Sequence, residues 1–152
     1  MANFARKPQG NDRSQIMAVA NKEASIAIAN TYYIGIMLSG KGGEEQLKAA
    51  QKVKIAFPNQ TNRGAHINIS GGGVLKHSPN RENAEKFLEF LLSEEAQVHI
   101  VNNTFEYPVL ETVKPHPLIE SFGNFKMDKT SVADFGKYNP EAVKLMDRVN
   151  WQ

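Results

Sequence analysis

Two adjacent tyrosines, Tyr32 and Tyr33, follow the short apolar run Ser25-Ile26-Ala27-Ile28-Ala29 and the polar step Asn30-Thr31. The run is rich in small and β-branched residues and reads as a buried strand. In open α/β sheets, ligand crevices form beyond the carboxyl ends of such strands. A phenolate is a hard, anionic oxygen donor. It suits a hard trivalent ion such as Fe3+, by the softness logic that pairs carboxylates with hard divalent ions. Free tyrosine is neutral at ordinary pH, with a pKa of about 10, but a bound cation can deprotonate its own ligand. The bland alternative is packing, in which both rings bury area and both hydroxyls reach water or a backbone group.

Other candidate chemistry is weaker. Ser70-Gly71-Gly72-Gly73 could cradle a phosphate on backbone N–H groups. However, the apolar chain resumes at once with Val74-Leu75, and neither Gly-Lys-Ser/Thr nor G-x-G-x-x-G is present. The spacing instead predicts a strand that bends or crosses between lobes where a side chain would not fit. His66, His77, His99 and His116 form no H-x-x-x-H or H-E-x-x-H pair. Each reads as a surface or capping histidine, with His66 standing nearest the glycines. Glu44/Glu45 and Glu94/Glu95 open helices, where negative charge stabilises the helix dipole by about 0.3–1 kcal/mol. There is no G-x-S-x-G elbow. With no cysteine there is no thiol nucleophile, iron–sulfur cluster or Cys-type zinc site. No constellation supports an enzyme.

The 152 residues amount to about one domain, 41% hydrophobic and 22% charged, as in ordinary globular chains. A net charge of +2 without any basic block does not indicate nucleic acid. The longest apolar stretch, Ile26 to Leu38, is broken by Asn30-Thr31 and is shorter than the ~20 residues a bilayer requires. Met1 to Gly10 leads into no apolar h-region, so no export signal is expected in the chain as written. Helices are expected from Asn11 or Asp12 to Lys22, over Tyr32 to Leu38, over Glu44 to Lys52, after Asn80, after Ser93 and after a cap at Asn139-Pro140. Strands are expected at Ser25–Ala29, Lys54–Phe57 and His66–Ser70, with Val74-Leu75 continuing the last. Such interleaving predicts an α/β fold.

Many segments agree in order and spacing with one family. Pro8-Gln9-Gly10-Asn11-Asp12-Arg13, Ala27-Ile28-Ala29-Asn30-Thr31-Tyr32-Tyr33, Phe57-Pro58-Asn59-Gln60, His66-Ile67-Asn68-Ile69-Ser70-Gly71, Ser93-Glu94-Glu95-Ala96-Gln97 and Glu106-Tyr107-Pro108-Val109 together resemble the ferric-ion substrate-binding proteins of bacterial ABC importers. The resemblance covers essentially the whole chain but only the carboxyl-terminal half of a family member. It implies half of a type II periplasmic-binding-protein fold, an α/β architecture of αβα lobes joined by hinge strands that close over Fe3+. It makes Tyr32 and Tyr33 metal ligands and places Asn30 near the metal, where it helps to hold a synergistic anion. Residues 1–64 would belong to the second lobe, 65–107 to a hinge strand and helices of the first, and 108–152 to carboxyl-terminal helices of the second.

The implied partners are a ferric ion, an ABC permease in the membrane and an amino-terminal half bearing the remaining ligands. The parent family is periplasmic, whereas the chain as written, without a signal, would stay in the cytoplasm. Two alternatives stay open. One is a small-anion or organic-ligand module on the same fold; the other is a truncated, non-functional remnant. The apolar stripe over residues 81–102 is expected to lack much of its facing sheet, leaving apolar area that favours aggregation or a partner.

Overall fold

A computed structural model describes residue 7 and residues 9–151; most of Met1 to Gly10, Pro8 included, lies outside them, and so does most of the expectation about an export signal. The described residues form seven helices in chain order. Helix α1 (Asp12–Ala20) begins with a capping box: the Asn11 side chain accepts from the Ser14 N–H, and the Ser14 hydroxyl accepts from the Asn11 N–H. Helix α2 (Thr31–Leu38) carries the tyrosine pair in its first turn. Helix α3 (Glu44–Ala50) has both expected glutamates in its first turn, and Glu44 pairs with Lys48 at 2.6 Å. Helices α4 (Arg81–Leu91) and α5 (Glu94–Thr104) pack on each other, and the Ser93 hydroxyl caps α5 by accepting from the Ala96 N–H. Helix α6 (Pro117–Glu120) is a single turn in the proline-rich connector, and α7 (Val132–Arg148) is the longest.

The core lies under the tyrosines. Helices α1, α2 and α3 meet around Ile16, Ile34, Met37, Ala49 and Ala50, where the alanines let the helices approach closely. On the next face of α2, Phe105 and Ile119 are buried against Gly35. A Cβ at Gly35 would stand 2.8 Å from the Phe105 Cβ and 2.9 Å from the Ile119 Cδ1, so this helical glycine is required by contact. Phe105 ends α5 in the left-handed region at φ 62°, a strain of about 1–2 kcal/mol that full burial of its ring offsets.

The expected strands build no ladder among the described residues. One isolated parallel bridge joins Ala65 to Met127, with Ala65 N–H donating to the Lys126 carbonyl and Asp128 N–H to the Ala65 carbonyl, both at 2.8 Å. A segment becomes a strand only when a second chain takes its backbone groups. Among the described residues Ser25–Ala29 has no such partner, and the residues expected to be buried are open, with Ile26 84% and Ile28 77% exposed.

The last helix also differs from expectation. It does not begin at Asn139-Pro140 but at Ser131, whose hydroxyl accepts from the Ala133 N–H, and it runs through Pro140. Pro140 withholds the N–H that would bond the Gly136 carbonyl. No residue of α7 is buried, so solvent is at hand to satisfy that carbonyl. Asn80 holds its expected place before α4 but makes no side-chain cap, and the stripe of α4 stays open, with Phe87 58% exposed. Among the described residues, no helix is long and apolar enough to cross a membrane.

Candidate functional site

The site is built on the start of α2. Asn30 occupies the N-cap position with extended backbone, and asparagine is among the best capping residues. Its side chain nevertheless makes no capping bond, forgoing about 1 kcal/mol. It is engaged elsewhere. The Asn30 Nδ2 donates to Asp12 Oδ1 at 3.3 Å, and its Oδ1 accepts from Asn68 Nδ2 at 3.4 Å. The Asn30 backbone N–H also donates to Asp12 Oδ1, at 2.9 Å. Three stretches distant in sequence are thereby tied together at the residue that leads into the tyrosines.

Tyr32 and Tyr33 are both partly buried, with ring centroids 4.3 Å apart and planes tilted by 39°. Neighbouring residues on a helix ordinarily face apart, so the ring contact marks the pair as convergent. The packing alternative holds in part, because the Tyr33 ring lies against the Ile16–Met37 core cluster. The hydroxyls do more than reach solvent. A hydrogen bond with Tyr33 is the largest cause that pushes the Tyr32 pKa up to about 12, joined by burial and by the negative charges of Tyr33, Asp12 and Glu106. Two phenol rings with centroids 4.3 Å apart can bring their oxygens to neighbouring corners of a six-coordinate shell. For a metal–oxygen length of about 2.0–2.1 Å, that edge is about 2.9 Å.

Glu106 brings in a fourth stretch. Its carboxylate accepts from the Ser70 hydroxyl at 2.7 Å and from the Thr104 hydroxyl at 3.2 Å. The tyrosines are thus flanked by two carboxylates, Asp12 and Glu106, which sequence reasoning did not single out as site residues. Asp12 reads there only as a candidate cap, and Glu106 only as one letter of a motif. One signal was available: the alternation Asn68-Ile69-Ser70 puts both polar residues on one face, and both touch this cluster.

The remaining candidates stay apart. The His66 ring lies 5.2 Å from that of Phe135. His116 caps α6, its Nδ1 accepting from the Leu118 N–H at 3.1 Å, and its ring meets Phe105 edge-on at 4.7 Å. Among the described residues, no group of three or more His, Cys, Asp and Glu is placed to hold a metal ion. The glycine run also departs from expectation. A Cβ at Gly71 or Gly73 would meet nothing within 4 Å, and at Gly72 it would meet only the flexible end of Leu88, at 2.9 Å. The run crosses open surface, so the space for a side chain exists at two of the three positions.

Comparison with known proteins places this geometry in context. The bacterial extracellular solute-binding protein family matches residues 3–98. Iron uptake protein A1 of Synechocystis sp. is 47% identical over 152 residues, which is all of this chain and 42% of that protein. Among solved structures, Trichodesmium IdiA/FutA in complex with iron and citrate superposes with a TM-score of 0.89 at 50% identity. The ferric binding protein from Campylobacter jejuni does so with 0.93 at 39%. Each superposition covers 99% of this chain and 47% of the other. The chain therefore spans about half the length of the relatives it matches, and its helices and unladdered segments have the arrangement of half of their α/β fold.

Proposed function

This chain belongs to the bacterial extracellular solute-binding proteins, and on that premise we propose that it binds ferric iron through the phenolates of Tyr32 and Tyr33, as part of the substrate-binding component of an ABC-type iron importer. One observation carries the reading: two phenols converge in the first turn of α2, their ring centroids 4.3 Å apart, with Asp12 and Glu106 near enough for their charges to act on Tyr32. Relatives named for iron uptake and ferric binding support the choice of ion.

In the metal-free chain, the interaction with Tyr33, then burial and the nearby negative charges, favour the protonated Tyr32 phenol. A trivalent cation reverses that balance, because the field that opposes a lone phenolate attracts the ion. Binding releases the phenolic protons, and the cation takes their place beside the two oxygens. The positive end of the α2 dipole favours the resulting negative charge. No bond of a substrate is broken; the task is capture in the periplasm and delivery to a membrane permease. Two phenolates leave most of a six-coordinate shell open. An amino-terminal half and an anion near Asn30 would fill it, with residues 65–107 passing through the hinge to the first lobe and residues 1–64 and 108–152 forming the second.

A visible-absorption titration with ferric citrate tests the reading. The chain should develop a saturable phenolate-to-iron charge-transfer band that is absent in the Tyr32→Phe/Tyr33→Phe variant. No band in the unmodified chain would remove iron from the reading. A second reading, a small-anion module, is favoured by the start of α2, which has no side-chain cap to occupy its amides. It predicts saturable anion binding without iron or colour.

A further inference from the structure

Asp12 is not needed to start its own helix, because the Asn11–Ser14 capping box does that. Its carboxylate instead reaches 18 residues along the chain and takes both the backbone N–H and the side-chain amide of Asn30, at 2.9 and 3.3 Å. We infer that Asp12 is a positioning residue for the tyrosine pair: by holding Asn30 in both places, it fixes where the chain enters α2 and keeps the Asn30 side chain from capping the helix that bears Tyr32 and Tyr33. The inference rests on the ferric reading for its purpose, but its geometry stands without the metal.

Tyr32 and Tyr33 are the second and third residues of α2, and those are the amides an N-cap side chain ordinarily bonds. Asn30 therefore has two competing uses. With Asp12 in place, charge-assisted bonds to a partly buried carboxylate win. The Asn30 oxygen then turns to Asn68, so no side chain caps the tyrosine turn; the Tyr33 N–H donates to the Asn30 backbone carbonyl at 3.2 Å. Without Asp12, the Asn30 side chain swings onto the Tyr32 amide, as its residue type prefers, and the first turn re-aims both rings.

The experiment uses the full chain with Asp12→Ala and Asp12→Asn, the second of which keeps one acceptor oxygen. In metal-free protein, amide hydrogen exchange by NMR should show the Asn30 N–H protected in the unmodified chain, exposed in Asp12→Ala and largely protected again in Asp12→Asn. The Tyr32 amide should shift in Asp12→Ala as the new cap forms. In ferric citrate titrations, Asp12→Ala should weaken binding about tenfold and displace the charge-transfer band, as loss of a hydrogen bond to a charged group implies. Asp12→Asn should restore both. An Asn30 amide equally protected in Asp12→Ala would overturn the proposal, and so would Asp12→Asn failing as completely as Asp12→Ala, because charge rather than hydrogen bonding would then be at work. If Asp12→Ala does not fold, the near-isosteric Asp12→Asn decides: an exposed Asn30 amide in it overturns the proposal. Absence of any iron band from the unmodified chain would defeat the ferric reading alone, since the amide exchange still decides the positioning role.

Discussion

The helices of this chain divide into two kinds. In the region of α1, α2, α3 and α6, Met37 and Ile119 are 0% exposed, and each apolar face meets another. Helices α4 and α7 carry stripes just as regular, yet not one of their residues is buried. An apolar stripe is a property of one helix, whereas burial needs a second layer facing it. The tyrosines stand on the first region, and the Tyr33 ring is part of the packing beneath them. The tyrosine pair therefore rests on a closed core of its own, while apolar surface elsewhere is left open.

That contrast can be broken most directly at Phe105. Its ring is 1% exposed, presses on Gly35 and Ile119, meets His116 edge-on and lies under the Lys41 ammonium at 4.9 Å. Phe105→Ala should lower unfolding stability by about 3–5 kcal/mol, the range for a buried phenylalanine that leaves a cavity. Urea unfolding followed by circular dichroism measures it. A loss below about 1 kcal/mol would mean that this region is no better closed than α4.

The same contrast explains what the sequence could reveal. Helix starts are set by local chemistry, so Asn11, Ser93 and the first-turn glutamates were legible from spacing alone. The adjacent tyrosines stood out as candidates because residue type limits what they can ligate. Ser25–Ala29 was misread because a run of small and β-branched residues describes a strand within a sheet, and pairing depends on chain segments that local pattern does not specify. Asp12 and Asn30 are 18 residues apart with no periodicity linking them, so their bond was invisible before the fold brought them together. Pro140 was read as a helix start because proline is common there. Ser131 had already begun α7 upstream, and an exposed helix tolerates the missing bond.

A titration sharpens the comparison within the tyrosine site. The Tyr32 pKa is about 12 in the folded chain against an ordinary 10.0, so the folded protein keeps its proton longer than the unfolded chain does. Stability is therefore unaffected by this group below a pH of about 10, and it falls as pH rises from there through about 12. In Tyr33→Phe the largest cause of the shift disappears, while burial and the two carboxylates remain. The Tyr32 pKa should then move part of the way back towards 10, and the alkaline loss of stability should shrink with it. Ultraviolet phenolate absorbance during a base titration reads the first effect. An unchanged Tyr32 transition in Tyr33→Phe would show that the two hydroxyls do not hold each other.

The smallest effect is expected on the open side of the comparison. Phe87, on the α4 stripe, and Leu92, which caps the carboxyl-terminal end of α4, are each 58% exposed. Replacing a buried phenylalanine or leucine removes packing and leaves a cavity, but a side chain already in water has little of either to lose. Phe87→Ser and Leu92→Ser should therefore change unfolding stability by no more than about 0.5 kcal/mol, as surface substitutions do. Binding of an apolar-surface dye should fall in both, because the change removes exposed hydrocarbon rather than core. The two readouts together separate the regions: Phe105→Ala should cost stability and raise dye binding, whereas the α4 variants should keep stability and lower it. A loss of about 2 kcal/mol or more in either α4 variant would mean that its face is covered in solution, and the division between closed and open regions would then have to be redrawn.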